Sequence, residues 1–205
     1  MSKIWRNLAL VLAAVGLLSV ASAHAQNAPQ PLPDDRILGK PDAPVTIFEF
    51  ASLSCPHCAD FDANVLPKIK QNWIDTGKAR LIYRDYPLDF AALKAAQLVR
   101  CAPPEQFYGF IDVLFQSQQN WVVRERDKVQ ERLGKLAKLS GMSDDKFAAC
   151  MKDEALEKSI LERQVQATRD YQIESTPTFY INGKKFVGVH PYDEFDQVLA
   201  AASKS

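Results

Sequence analysis

The chain has 205 residues, 47% of them hydrophobic, and its 25 basic and 25 acidic side chains cancel. That balance gives no electrostatic basis for holding nucleic acid or an anionic membrane surface. The length suits one domain with room for an inserted lobe, and four cysteines permit disulfides in an exported chain.

The first predicted element is an export signal. Lys3 and Arg6 precede an apolar run from Leu8 to Val20, and Ala23-His24-Ala25 is a small-x-small cleavage pattern before Gln26. The run is shorter than the roughly 20 residues that a spanning helix needs. Residues 1–25 are therefore read as a signal peptide cut after Ala25, which leaves net charge −2 on the rest. Residues 26–36 contain Pro29, Pro31 and Pro33 and read as an extended tether.

Pro44 to Phe50 is β-branched and aromatic, the pattern of a strand. It runs into Ser54-Cys55-Pro56-His57-Cys58, where a helix should begin, because Pro56 suits a first helical position that needs no N–H. Phe61, Val65, Ile69 and Trp73 then mark a buried helical face, with Pro67 expected to kink it. Ala79 to Tyr86 reads as a second strand. From Ala91 to about Tyr171 the pattern is helical, with Phe107, Phe110, Ile111, Leu114 and Phe115 on one face and Val129, Leu133 and Leu136 on another. Further helices are expected near Ser143 to Met151 and from Glu154 to Tyr171. Thr178 to Ile181 and Lys184 to Val189 form a hairpin around Asn182-Gly183, two positions that tolerate positive φ. Pro191 to Ala202 closes the chain as a helix, with Tyr192, Phe195, Val198 and Leu199 inward. The expected class is α/β: a small mixed sheet built from residues 37–90 and 172–205, interrupted by an all-helical insertion at 91–171.

The chemistry concentrates at Cys55 and Cys58. The nucleophile in disulfide exchange is a thiolate, and the N–H groups and positive dipole of a helix N-terminus favour an anion at Cys55. Cys58 lies one turn on, within reach to close a disulfide, and His57 adds a donor or a positive charge. Zinc would need more ligands than one CxxC and isolated cysteines supply. Covalent haem needs His where Ala59 stands. An inert bridge leaves the strand–CxxC–helix context without a purpose.

Phe48-Glu49-Phe50, Ser54-Cys55-Pro56-His57-Cys58, and Ser175-Thr176-Pro177-Thr178-Phe179 followed by Ile181-Asn182-Gly183 together resemble the DsbA family of periplasmic disulfide oxidases. The resemblance runs from about Pro41 onward. It implies a thioredoxin-like fold with an inserted helical domain and a periplasmic location. By resemblance, Cys55 is the exposed attacking sulfur and Cys58 the buried resolving one. Pro177 corresponds to the family's cis-proline, Thr176 offers backbone groups to a substrate strand, and Glu49 is a buried acid serving the inner cysteine. The substrates implied are unfolded or folding exported proteins with free thiols, and the reoxidant a membrane partner of the DsbB type. No cofactor or metal is expected.

Cys101 and Cys150 fall in the helical insertion. They read as a staple between two helices, with a second redox couple or two buried thiols as the other readings. Two further functions stay open at this level. One is a disulfide isomerase or reductase of the same superfamily, although residues 26–36 leave no space for the dimerisation element such isomerases carry, so a monomer is expected. The other is a non-enzymatic periplasmic module that binds metal or peptide.

Overall fold

A computed structural model describes residues 28–204. The signal peptide, its cleavage point and the first two residues of the expected tether lie outside the described residues.

A five-stranded sheet has the order β1-β3-β2-β4-β5. Its centre is β2 (Val45–Ala51), parallel to β3 (Ala79–Asp85) and antiparallel to β4 (Thr178–Ile181). Six of the seven β2 residues are buried, the mark of a strand covered on both faces. The hairpin from β4 to β5 (Lys184–Val187) turns at Asn182 and Gly183, with φ of 43° and 84°, so the positive-φ turn expected from Asn-Gly is present. The edge strand β1 (Ile37–Gly39), antiparallel to β3, was not anticipated. Three residues are too few for an alternating pattern to show. Gly39 ends β1 at φ 100°, and a Cβ there would stand 3.0 Å from the carbonyl oxygen of Ala79.

Between β2 and β3 the chain forms α1 (Pro56–Asn64), α2 (Leu66–Ile69) and a π-helical turn at Lys70–Ile74. The expected face is real: Phe61, Val65, Ile69 and Trp73 are all buried against the sheet. Pro67 sits at the start of α2, and the helix breaks just before it, at Val65. Helix α9 (Tyr192–Ala202) packs on the same side, where Trp73 donates from Nε1 to Asp196 at 2.8 Å.

The segment between β3 and β4 is helical: α3 (Phe90–Cys101), a 3₁₀ turn at Pro104–Gln106, α4 (Phe107–Gln116), α5 (Gln118–Trp121), α6 (Arg126–Leu139), α7 (Asp144–Met151) and α8 (Glu154–Tyr171). Helix α3 runs through its middle. Its N-cap Asp89 accepts from the Ala92 amide at 2.7 Å. Its two buried polar side chains are satisfied: Lys94 reaches Glu157 at 2.5 Å, and Gln97 donates to the carbonyls of Cys150 and Asp153. Cys101 at the end of α3 is bonded to Cys150 in α7, so the staple is the reading the structure supports.

The proline-containing segment at 28–36 is not a free tether. Arg84 on β3 donates to the carbonyl of Gln30 at 2.8 Å and pairs with Asp35 at 2.6 Å, and the Asp35 side chain is only 1% exposed. Asp34 meets Arg163 on α8 at 2.5 Å. The prolines keep the segment extended, but its two aspartates fasten it to arginines distant in sequence, a pairing that composition alone does not reveal.

Candidate active site

Cys55 is the N-cap of α1, with φ −79° and ψ 121°, and Pro56 takes the first helical position, as the sequence led us to expect. The loop before it is closed by the Cys55 amide donating to the carbonyl of Ser52 at 3.0 Å. Both sulfurs are free thiols. Cys58 is wholly buried and Cys55 keeps 6% of its surface, so the expected exposed and buried pair differs by less than supposed. The Cys55 sulfur lies 3.4 Å from the carbonyl oxygen of Thr176, within donating distance while the thiol is protonated, which brings a loop more than a hundred residues away against the cysteine pair. The Thr176–Pro177 peptide is cis. The Pro177 carbonyl accepts from Gly188 at 2.9 Å, tying the loop to the end of the hairpin.

The two thiols are driven in opposite directions. Donation from the Cys58 side chain is the largest influence on Cys55. Burial opposes it, and the Thr176 side chain and the backbone N–H groups of Cys58 and His57 reinforce it, so that the Cys55 pKa falls to about 5. Burial and the neighbouring Cys55 push the Cys58 thiol far up. His57 acts on Cys55 through its backbone N–H, while its ring is exposed at the surface. These directions favour the thiolate at Cys55 and the protonated thiol at Cys58 near neutral pH.

Glu49 projects from β2 and is 3% exposed. Burial raises its pKa well above the usual carboxylate range and the nearby charge of Asp62 adds to this. Its charge in turn acts on the Cys58 thiol. Glu49 lines a cavity of about 340 Å³ with Asp62, Tyr83, Tyr108, Lys70 and Asp112. Asp62, on α1, is held up to about 8 by burial and by a hydrogen bond shared with Asp112 of α4. A file of three acids therefore runs from the buried Glu49 through the buried Asp62 to the exposed Asp112. Asp62 lies four residues beyond Cys58, on the same side of α1. That spacing was readable in the sequence; the meeting with Asp112 was not.

A second element that the sequence did not disclose is Gln118. It opens α5 in the helical segment, and its side-chain amide donates to the carbonyls of Leu53 at 2.8 Å and Cys55 at 3.1 Å. Among the described residues no group of three or more His, Cys, Asp and Glu is placed to hold a metal ion.

A family model described as thioredoxin matches residues 32–201. Disulfide bond formation protein D of Bacillus subtilis is 32% identical over 176 residues, covering 80% of this chain and 74% of that protein. A Rickettsia bellii protein named as a protein-disulfide oxidoreductase is 28% identical over 151 residues, and the chain spans 58% of its length. Among solved structures, Wolbachia pipientis alpha-DsbA1 superposes with a TM-score of 0.80 at 34% identity, covering 85% of this chain and 93% of that one. BdbD of Bacillus subtilis in its oxidised form gives a TM-score of 0.74 at 27% identity, covering 87% and 98%.

Proposed function

Because the chain belongs to the DsbA family of the thioredoxin superfamily, we propose that it is a periplasmic dithiol oxidase that transfers the Cys55–Cys58 disulfide to exported proteins. The observation that carries this reading is the placement of the pair: Cys55 at a helix N-terminus against the Thr176 loop, with the wholly buried Cys58 one turn on, an arrangement that lowers the pKa of the first and raises that of the second.

In the oxidised enzyme a substrate thiolate attacks Cys55 Sγ. The Cys55–Cys58 bond breaks and Cys58 leaves, taking a proton that Glu49 supplies. The acids Asp62 and Asp112 give Glu49 a route for proton recovery. A second substrate thiol, deprotonated by solvent, attacks its own sulfur in the mixed disulfide, and Cys55 departs as a thiolate. Two electrons pass from the substrate dithiol to the enzyme; of the two protons given up, one ends on Cys58 and one in solvent. The substrate's backbone lies against the Thr176–Pro177 loop. Exposed Leu88 and Val187, next to the residues that fix that loop and the Ser52 turn, offer an apolar rim to an unfolded chain.

The direction of transfer follows from the thiolate. With a pKa of about 5 in place of an ordinary thiol near 8.5, the reduced form gains about 3 kcal/mol at pH 7, equivalent to about 60 mV of added oxidising power. A low-pKa thiolate is also a good leaving group, so mixed disulfides at Cys55 resolve quickly. Reoxidation then falls to a membrane partner of the DsbB type, and the enzyme acts as a monomer.

Equilibration of the Cys55–Cys58 pair with glutathione tests the proposal, together with refolding of reduced and of scrambled ribonuclease at equal enzyme. Strong oxidation of the reduced substrate with poor rescue of the scrambled one is the expected pattern. Efficient rescue of scrambled ribonuclease would favour the isomerase, and a strongly reducing equilibrium the reductase. Light scattering should give the mass of one chain.

A further inference from the structure

We infer that Gln118 is a positioning residue through which the helical domain sets the acidity of Cys55. The inference deepens the oxidase reading, since it concerns the same thiolate. One side-chain amide from α5 donates to two carbonyls of the active-site loop, Leu53 at 2.8 Å and Cys55 at 3.1 Å, on either side of Ser54. The Cys55 carbonyl already accepts the first helical bond of α1, from Ala59 at 3.2 Å. Gln118 is thus a second donor on the N-cap carbonyl and ties the loop to that carbonyl as one unit.

Two consequences reach the sulfur. The amide hydrogens offset the negative ends of two carbonyl dipoles beside a thiolate, which lowers their repulsion of it. They also hold Cys55 in the extended N-cap conformation that points the N–H groups of His57 and Cys58 at Cys55 Sγ. Gln118 is itself held in place. Trp121, the last residue of α5, is wholly buried and donates from Nε1 to the carbonyl of Leu114 at 2.8 Å, and Arg132 of α6 donates to the carbonyl of Asn120 at 2.6 Å. The grip on the loop therefore originates in α4 and α6, outside the helix that carries the cysteines.

The test is the pH profile of Cys55 alkylation in wild type, Gln118→Met and Gln118→Glu. Methionine keeps the length and removes both donors; glutamate removes them and adds a negative charge. The alkylation midpoint should rise by about half to one pH unit in Gln118→Met, a three- to tenfold fall in thiolate below the midpoint, and by more in Gln118→Glu. Glu157→Gln, which weakens the Lys94 pair inside the helical domain, is the stability control. It should lower the melting temperature and leave the midpoint unmoved. Midpoints in both Gln118 variants equal to wild type, or a rise in Glu157→Gln equal to theirs, would overturn the inference. The comparison of variants with wild type judges Gln118, whereas the wild-type midpoint judges the oxidase reading: a value in the ordinary thiol range sinks that reading whatever the variants do.

Discussion

Replacing Cys58 by alanine should make Cys55 markedly less acidic, although Cys58 is wholly buried. The Cys58 thiol is the largest influence holding Cys55 near pKa 5, ahead of the Thr176 side chain and the helix N–H groups. A hydrogen bond to a charged acceptor is worth about 1.5–3 kcal/mol, and one pKa unit corresponds to 1.36 kcal/mol. Loss of that donor should therefore raise the Cys55 midpoint by about one to two units. Cys58→Ser keeps a donor of similar reach and should recover most of the difference. Since Cys101 and Cys150 are bonded to each other, Cys55 is the one free thiol in either variant, so alkylation followed by mass measurement reads it directly across pH. If Cys58→Ala titrates with wild type, the helix N-terminus and Thr176 hold the thiolate alone, and the reasoning that couples the two sulfurs is wrong.

Four other outcomes follow from the structure. Because Cys55 is ionised above about pH 5 while Cys58 stays protonated, reduction takes up one proton per two electrons, and the potential should fall by about 30 mV per pH unit between pH 5 and 8.5. A slope of twice that, measured against glutathione across pH, would mean that Cys55 is protonated. Folding gains from the depressed Cys55 pKa in full above the ordinary thiol range and not at all below about pH 5, so the stability of the reduced protein relative to the oxidised form should shrink as pH falls from the thiol range towards 5. Glu49→Gln removes a buried, unpaired acid whose raised pKa costs stability once pH exceeds the ordinary carboxylate value, so it should stabilise the protein at pH 7 by about 1–3 kcal/mol while slowing ribonuclease oxidation; unchanged turnover would remove Glu49 from proton transfer. Asp35→Ala leaves Arg84 buried without its carboxylate and should cost about 3–5 kcal/mol in denaturant unfolding, whereas Asp35→Ala with Arg84→Met should lose much less.

What the sequence disclosed and what it withheld divide along a physical line. Local periodicity and turn chemistry were readable: the face of Phe61, Val65, Ile69 and Trp73, the Asn182–Gly183 turn, and Pro56 opening a helix just after Cys55 each depend on neighbours within a few residues. The cysteine pair and the Thr176–Pro177 loop were readable as motifs. Pairings between side chains far apart in the chain were not. Asp62 with Asp112, Gln118 with the Leu53 and Cys55 carbonyls, and Arg84 with Asp35 join ordinary polar residues with no signature of their own. Strand β1 escaped because its three residues borrow their structure from β3.

The strand order has a consequence for a chain that emerges from its N-terminus. β2 is flanked by β3 on one side and by β4 on the other, and the β4 partners of Ile47, Phe48, Glu49 and Phe50 are Ile181, Tyr180, Phe179 and Thr178. During synthesis β2 and β3 can pair early, but the other edge of β2 stays open until the whole insertion has followed. That edge belongs to a strand rich in apolar and aromatic residues, the kind that recruits a strand from another molecule. A truncation ending before Thr178 leaves it permanently bare, and such a fragment should associate through β2 even with its helices formed. The C-terminal hairpin is in this sense the chain's own guard against aggregation, arriving last at the place that most needs cover.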